Sequence, residues 1–139
     1  MELFKIQNLS FTYPEQEEHV LNDVSITLNQ GDFAVLAGSS GCGKSTLLRQ
    51  LKTVLAPHGN RKGEILYNGI PIDSIDSKIQ AAKIGFVLQD PDSQIVTDKV
   101  WHELAFGLES LGVNNTEIRG RVAEMASFFG IQTWFHMEV

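Results

Sequence analysis

Apolar positions come in short blocks along roughly the first ninety residues and in helical stripes after them. Residues 3–9 alternate imperfectly and read as a strand, which runs on through Phe11, Thr12 and Tyr13 until Pro14 ends it. Residues 24–28 alternate strictly, as a half-buried strand does. Asn29, Gln30 and Gly31 turn the chain into residues 32–37, a short apolar run that reads as a buried strand. Leu47, Leu48, Leu51, Val54 and Leu55 then lie on one helical stripe. Residues 56–63 read as a surface connector, and Asn68 with Gly69 gives a hairpin turn between residues 65–67 and 70–72. Residues 84–88 predict a second buried strand. Trp101, Leu104, Ala105, Leu108 and Leu111 predict a helix starting near Thr97 or Asp98 as its cap. Ile118, Val122, Met125, Ala126 and Phe129 predict another, although Gly120 weakens that pattern. Residues 131–139 and the acidic stretch 15–18 carry no pattern, and the latter reads as a solvated loop without specific function.

Between the apolar run 32–37 and the first helical stripe lie Gly38, Ser39, Ser40, Gly41, Cys42, Gly43, Lys44 and Ser45. They fit G-x-x-x-x-G-K-[ST], a phosphate-binding loop, in the strand–loop–helix context that the motif requires. A triphosphate needs donors on all sides. Glycines let the backbone curl and point successive N–H groups inward, and the following helix offers its positive end. Lys44 is then expected on the β- and γ-phosphates, Ser45 on Mg²⁺, and Thr46 as a further phosphate contact. A glycine turn capping an ordinary βα unit would not need Lys and Ser at those offsets.

Composition narrows the setting. The chain has 139 residues, 42% hydrophobic and 20% charged, which suits one modest globular domain. Its net charge of −6 argues against a nucleic-acid surface. No run approaches the length of a membrane span, and the first residues do not form a signal peptide. Cys42 is the single cysteine, so there is no disulfide framework, and a reducing, cytoplasmic setting fits. Within the loop Cys42 reads as a small residue that fits there, with a regulatory thiol as the alternative.

Taken together, these segments resemble the N-terminal part of the ATP-binding subunit of ABC transporters. Residues 9–14 are similar to the segment whose aromatic residue stacks on adenine, here Tyr13. Residues 38–45 correspond to its Walker A loop, residues 63–69 to its small antiparallel hairpin, and residues 84–89 to the strand entering the Q-loop, with Gln89 as its glutamine. Residues 89–94 and 100–107 further resemble the energy-coupling-factor group and its cobalt-transport relatives. The resemblance implies an α/β P-loop NTPase fold: a RecA-like core with an antiparallel β subdomain (to about residue 96) and the start of a helical subdomain (about 97–139). Within one nucleotide-binding domain, residues 1–139 would be the N-terminal portion, and the chain reads as truncated. The resemblance also implies ATP and Mg²⁺ as cofactors, with Lys44 and Gln89 as catalytic residues. The base and phosphates would be held by Tyr13, Gly38, Ser39, Ser40, Gly41, Cys42, Gly43, Lys44, Ser45 and Thr46, and the metal by Ser45 and Gln89. Its partners would be a second ATPase domain, identical or paralogous, and a transmembrane transporter subunit, with no nucleic acid. The location would be peripheral, on the cytoplasmic face of the membrane.

The family's signature segment, Walker B aspartate, catalytic glutamate and switch histidine all lie C-terminal to such a region. None of His19, His58, His102 and His136 stands in the switch position. The expected activity is therefore ATP hydrolysis driving import of a small solute, of the vitamin or metal-ion type, in the full-length family member, with these residues alone inactive. The alternatives are a non-transport ABC ATPase and a nucleotide-binding module without turnover.

Overall fold

The computed structural model describes all 139 residues, Met1–Val139. They fold as two compact units, Met1–Ile84 and Gly85–Val139.

The first unit is built on a four-stranded antiparallel sheet of order β2-β1-β3-β4, with β1 Glu2–Thr12, β2 Leu21–Asn29, β3 Asn60–Tyr67 and β4 Ile70–Pro71. The imperfect alternation of β1 has a structural cause. Phe4 and Ile6 are buried, and so are Leu9 and Phe11, an even pair followed by an odd pair. A one-residue slip would turn the second pair to the other face. A bulge at Asn8, whose φ is 50°, absorbs the extra residue and keeps all four on the core side. The neighbouring strands yield at the same level. Asp23 on β2 has φ 52° and Gly63 on β3 has φ 90°. A Cβ at Gly63 would stand 2.3 Å from the Asn8 carbonyl oxygen, so only glycine lets the strands approach. Side chains replace the lost ladder bonds. Asn8 N–H donates to Ser25 Oγ (2.9 Å), Asp23 N–H to Ser10 Oγ (2.9 Å), and Asn8 Nδ2 to Asp23 Oδ1 (2.8 Å).

The hairpin forms at Asn68 (φ 50°) and Gly69 (φ 77°), both left-handed as a type I′ turn demands. β3 begins earlier than its apolar residues suggest. Asn60, Arg61 and Lys62 pair with Thr12, Phe11 and Ser10, so much of the expected surface connector is strand.

Helix α1, Lys44–Gln50, buries Thr46, Leu47 and Gln50 against the sheet's core of Phe4, Ile6, Leu9, Phe11, Leu21 and Ile65. The expected stripe to Leu55 does not continue as one helix. Lys52 is extended, its ammonium donates to the Ile84 carbonyl (2.7 Å), and the Thr53 N–H goes to Gln80 Oε1 (3.0 Å) instead of a helical carbonyl. A separate 3-10 turn, Thr53–Leu55, follows. Helix α2, Ser77–Lys83, has no counterpart in the sequence reading. Asp76 caps it by accepting from Lys78 N–H (2.8 Å), and its buried residue is polar, Gln80.

The two expected core strands are corrected here. Residues 32–37 and 84–88 make no ladder with the sheet. Their apolar composition suits a strand covered on both faces, but no neighbouring strand pairs with them. Phe33 is 94%, Val35 77% and Val87 76% exposed.

In the second unit α3, Val100–Ser110, packs on α4, Asn115–Phe129, through Ala105, Ile118 and Val122, flanked by Leu104, Leu108, Val113 and Phe135. Asn114 caps α4 by accepting from Glu117 N–H (2.9 Å). Gly130, left-handed at φ 68°, ends it with the bonds Ile131 N–H to Ala126 O and Gly130 N–H to Ser127 O. Met125 and Phe129, placed on the inner stripe by sequence, are about half exposed or more. Neither Thr97 nor Asp98 caps α3. The helix starts after Lys99, and the unpatterned tail serves its first donors, with Val100 N–H bonded to Met137 O (3.1 Å) and Trp101 N–H to Phe135 O (3.2 Å).

Candidate functional site

The loop 38–45 is closed by its own lysine. Lys44 Nζ donates to the carbonyl oxygens of Gly38 (3.0 Å) and Ser39 (2.6 Å) and lies 3.6 Å from Cys42 Sγ. The positive charge thus spans the loop it follows in sequence. Gly43 supplies the turn into α1, with φ 93° and ψ 3°. A Cβ there would meet the Val20 carbonyl oxygen at 2.8 Å, so the backbone runs against the start of β2 with no room for a side chain. Residues 38–42 are exposed, and so is Ser45. The first N–H groups of a helix have no acceptor within it. An exposed loop leading into them, with an ammonium beside it, is chemically suited to a polyanion.

Thr46 is buried, and its Oγ1 lies 3.0 Å from the Tyr13 hydroxyl. The bond leaves Thr46 its backbone N–H for any outward contact. Tyr13 also meets Phe11 edge to face, with ring centroids 5.0 Å apart at 88°. The stretch read as functionless lies beside the loop. Residues 16–20 with Gly41 and Cys42 line an open cleft of about 510 Å³. His19 Nδ1 is 2.6 Å from Thr12 Oγ1.

Gln89 stands exposed in a bend of the second unit. Two side chains, Gln94 and Glu103, bond to the backbone around it. Gln94 Oε1 accepts from Leu88 N–H (2.7 Å) and its Nε2 donates to Phe86 O (3.3 Å). Glu103 Oε2 accepts from Val96 N–H (3.1 Å), Thr97 N–H (2.9 Å) and Thr97 Oγ1 (3.0 Å). Desolvation pushes the Glu103 carboxyl upward, but these three donors together outweigh it and hold the group below its ordinary value. The hydrogen bond from His102 is the largest cause that lowers Asp98. No group of three His, Cys, Asp or Glu side chains could hold a metal ion.

The family model described as ABC transporter matches residues 21–138. This chain belongs to the ABC transporter family. The segment falls within that family's ATP-binding domain, of the P-loop NTPase fold. A Bacillus thuringiensis subsp. konkukian protein, described as an ABC transporter ATP-binding protein, is 42% identical over 135 residues, covering 97% of this chain and 24% of that protein. The energy-coupling factor transporter ATP-binding protein EcfA1 of Lactobacillus acidophilus is 34% identical over 134 residues, 96% of this chain and 47% of that one. Among solved structures, cbiO1 of Clostridium perfringens, described as part of the ABC transporter complex cbiONQ, superposes with a TM-score of 0.82 at 28% identity, over 99% of this chain and 54% of that chain. The chain thus spans about a quarter to a half of the length of these relatives. No helix in it is long and apolar enough to cross a membrane.

Proposed function

We propose that this chain supplies the nucleotide-gripping part of an ATPase that energises import of a small solute through a membrane complex. The observation carrying this reading is the loop itself: a backbone pressed against Val20 at Gly43 and an ammonium spanning Gly38 and Ser39, within a chain of this family. Lys44 would exchange its two carbonyl partners for β- and γ-phosphate oxygens. The N–H groups of residues 41–46 would take the remaining phosphate oxygens. The Ser45 hydroxyl and Gln89 would hold Mg²⁺, whose chemistry is to neutralise charge on the phosphates. The Tyr13 ring would carry the base, its tilt fixed by Thr46. The similarity to EcfA1 and cbiO1 supports solute import of the vitamin or metal-ion type, with a second ATPase domain and transmembrane subunits as partners and a peripheral place on the cytoplasmic face. The Bacillus relative, of which the chain covers 24%, has length for that second domain in one polypeptide.

For residues 1–139 by themselves the alternative is binding without turnover. The experiment compares phosphate release by the complete polypeptide carrying this sequence, its Lys44→Ala variant, and residues 1–139. Turnover that depends on Lys44 and is confined to the complete polypeptide is expected. Equal release with and without Lys44 would overturn the ATPase reading.

A further inference from the structure

We infer that Gln94 and Glu103 are positioning residues that clamp the Gln89 loop at its two ends, an inference that rests on the ATPase reading above. Gln94 lies on a 3-10 turn, Asp92–Gln94, and folds back over the chain that enters the loop. Its amide meets a donor and an acceptor of one backbone stretch at once, Leu88 N–H and Phe86 O. Such two-way pairing fixes the rotation of that stretch as well as its position, as one ladder pair between strands does. The turn that carries Gln94 is itself tied, with Gln94 N–H bonded to Pro91 O (2.9 Å) and Ser93 Oγ to Asp90 O (2.7 Å). At the other end Glu103, in the first turn of α3, gathers three donors from Val96 and Thr97 onto a single oxygen. The chain leaving the loop is thereby anchored to a helix. Between the two anchors Gln89 is exposed. A side chain that must meet a metal and a phosphate loses rate when its backbone wanders by an ångström. The clamp sets where Gln89 can reach without touching the nucleotide itself.

The test uses the complete polypeptide carrying this sequence. Gln94→Met keeps length and removes both bonds. Hydrogen exchange of the Leu88 amide is expected to rise at least tenfold, as for a donor released to water. With MgATP, kcat is expected to fall on the order of tenfold while the KM for ATP stays within about twofold. In a Gln89→Ala background the same change is expected to add no further loss, because it acts only through that residue. Glu103→Gln retains an acceptor oxygen and is expected to behave as wild type, whereas Glu103→Ala speeds exchange at Val96 and Thr97 and lowers kcat. An unchanged Leu88 exchange rate in Gln94→Met, or an equal loss of kcat with and without Gln89, overturns the proposal. Failure of the wild type to release phosphate would overturn the ATPase reading instead, and the Leu88 exchange rate would still decide the clamp.

Discussion

The hydroxyl of Tyr13 stands 3.0 Å from Thr46 Oγ1, tying the chain just past β1 to the first turn of α1. The same ring packs perpendicular to Phe11 in the core. Base stacking by Tyr13 is a proposal separate from this packing, and two variants distinguish them. Tyr13→Phe keeps the ring and is expected to cost about 0.5–1.5 kcal/mol of stability through the lost bond, with little change in ATP affinity. Tyr13→Ala also removes the platform, for about 1–3 kcal/mol of binding. Denaturant unfolding and nucleotide titration separate the two. ATP affinity unchanged in a folded Tyr13→Ala variant would remove the stacking role.

At the phosphate loop two variants should fail for different reasons. Lys44→Ala deletes charge-assisted contacts of about 1.5–3 kcal/mol, so ATP affinity should drop roughly tenfold to a hundredfold in a folded protein. Gly43→Ala places a methyl 2.8 Å from Val20 O at a left-handed φ of 93°. It should lower stability by more than about 1 kcal/mol as well as weaken ATP. Calorimetric unfolding beside binding isotherms distinguishes them, and a Gly43→Ala protein as stable as wild type would show that the β2 contact yields.

What the sequence disclosed follows from how local each cause is. The turn into α1 at Gly43 and the turn at Asn68 and Gly69 each rest on local φ angles, so spacing and residue type were enough. Residues 32–37 are apolar because they suit a covered strand, but a ladder needs a neighbour, which composition does not report. β3 escaped notice at Asn60, Arg61 and Lys62 because its pairing with β1 uses backbone groups whatever the side chains are. Helix α2 hides behind a buried polar residue, Gln80, where a stripe would want an apolar one. The Gln94 and Glu103 clamps are side-chain to backbone bonds, which leave no periodicity. The nearest signal was two glutamines flanking Asp90, Pro91, Asp92 and Ser93.

Glu103 gives the second unit a pH dependence. Its folded-state value lies below the ordinary 4.5, because its three donors favour the charged form. Its contribution is thus complete above the unfolded value and is lost as pH falls through the lower folded one. Unfolding monitored from pH 7 down to pH 3 should show an acid limb that Glu103→Gln flattens in part. Superimposable limbs for the two proteins would mean that the carboxylate contributes nothing through its charge.

Two glutamines buried to 1% exposure make opposite predictions. Gln80 spends its whole amide. Oε1 accepts from Thr53 N–H and Oγ1, both at 3.0 Å, and Nε2 donates to Ile72 O (3.0 Å) and Ile75 O (2.9 Å). Gln80→Leu would strip its bonds from Thr53 and Ile75 and leave Ile72 O only the Ile75 N–H (3.2 Å), an expected loss of about 3 kcal/mol or more. Gln50, on the inner face of α1, has no partner for Nε2. An unsatisfied buried donor costs about 1–3 kcal/mol, so Gln50→Leu, which removes the donor and keeps most of the volume, is expected to stabilise by about 1 kcal/mol. Equilibrium unfolding of both variants decides. Destabilisation by Gln50→Leu would mean that its amide has an acceptor in the folded protein, whereas opposite signs would tie the stability of this fold to polar satisfaction rather than to side-chain polarity itself.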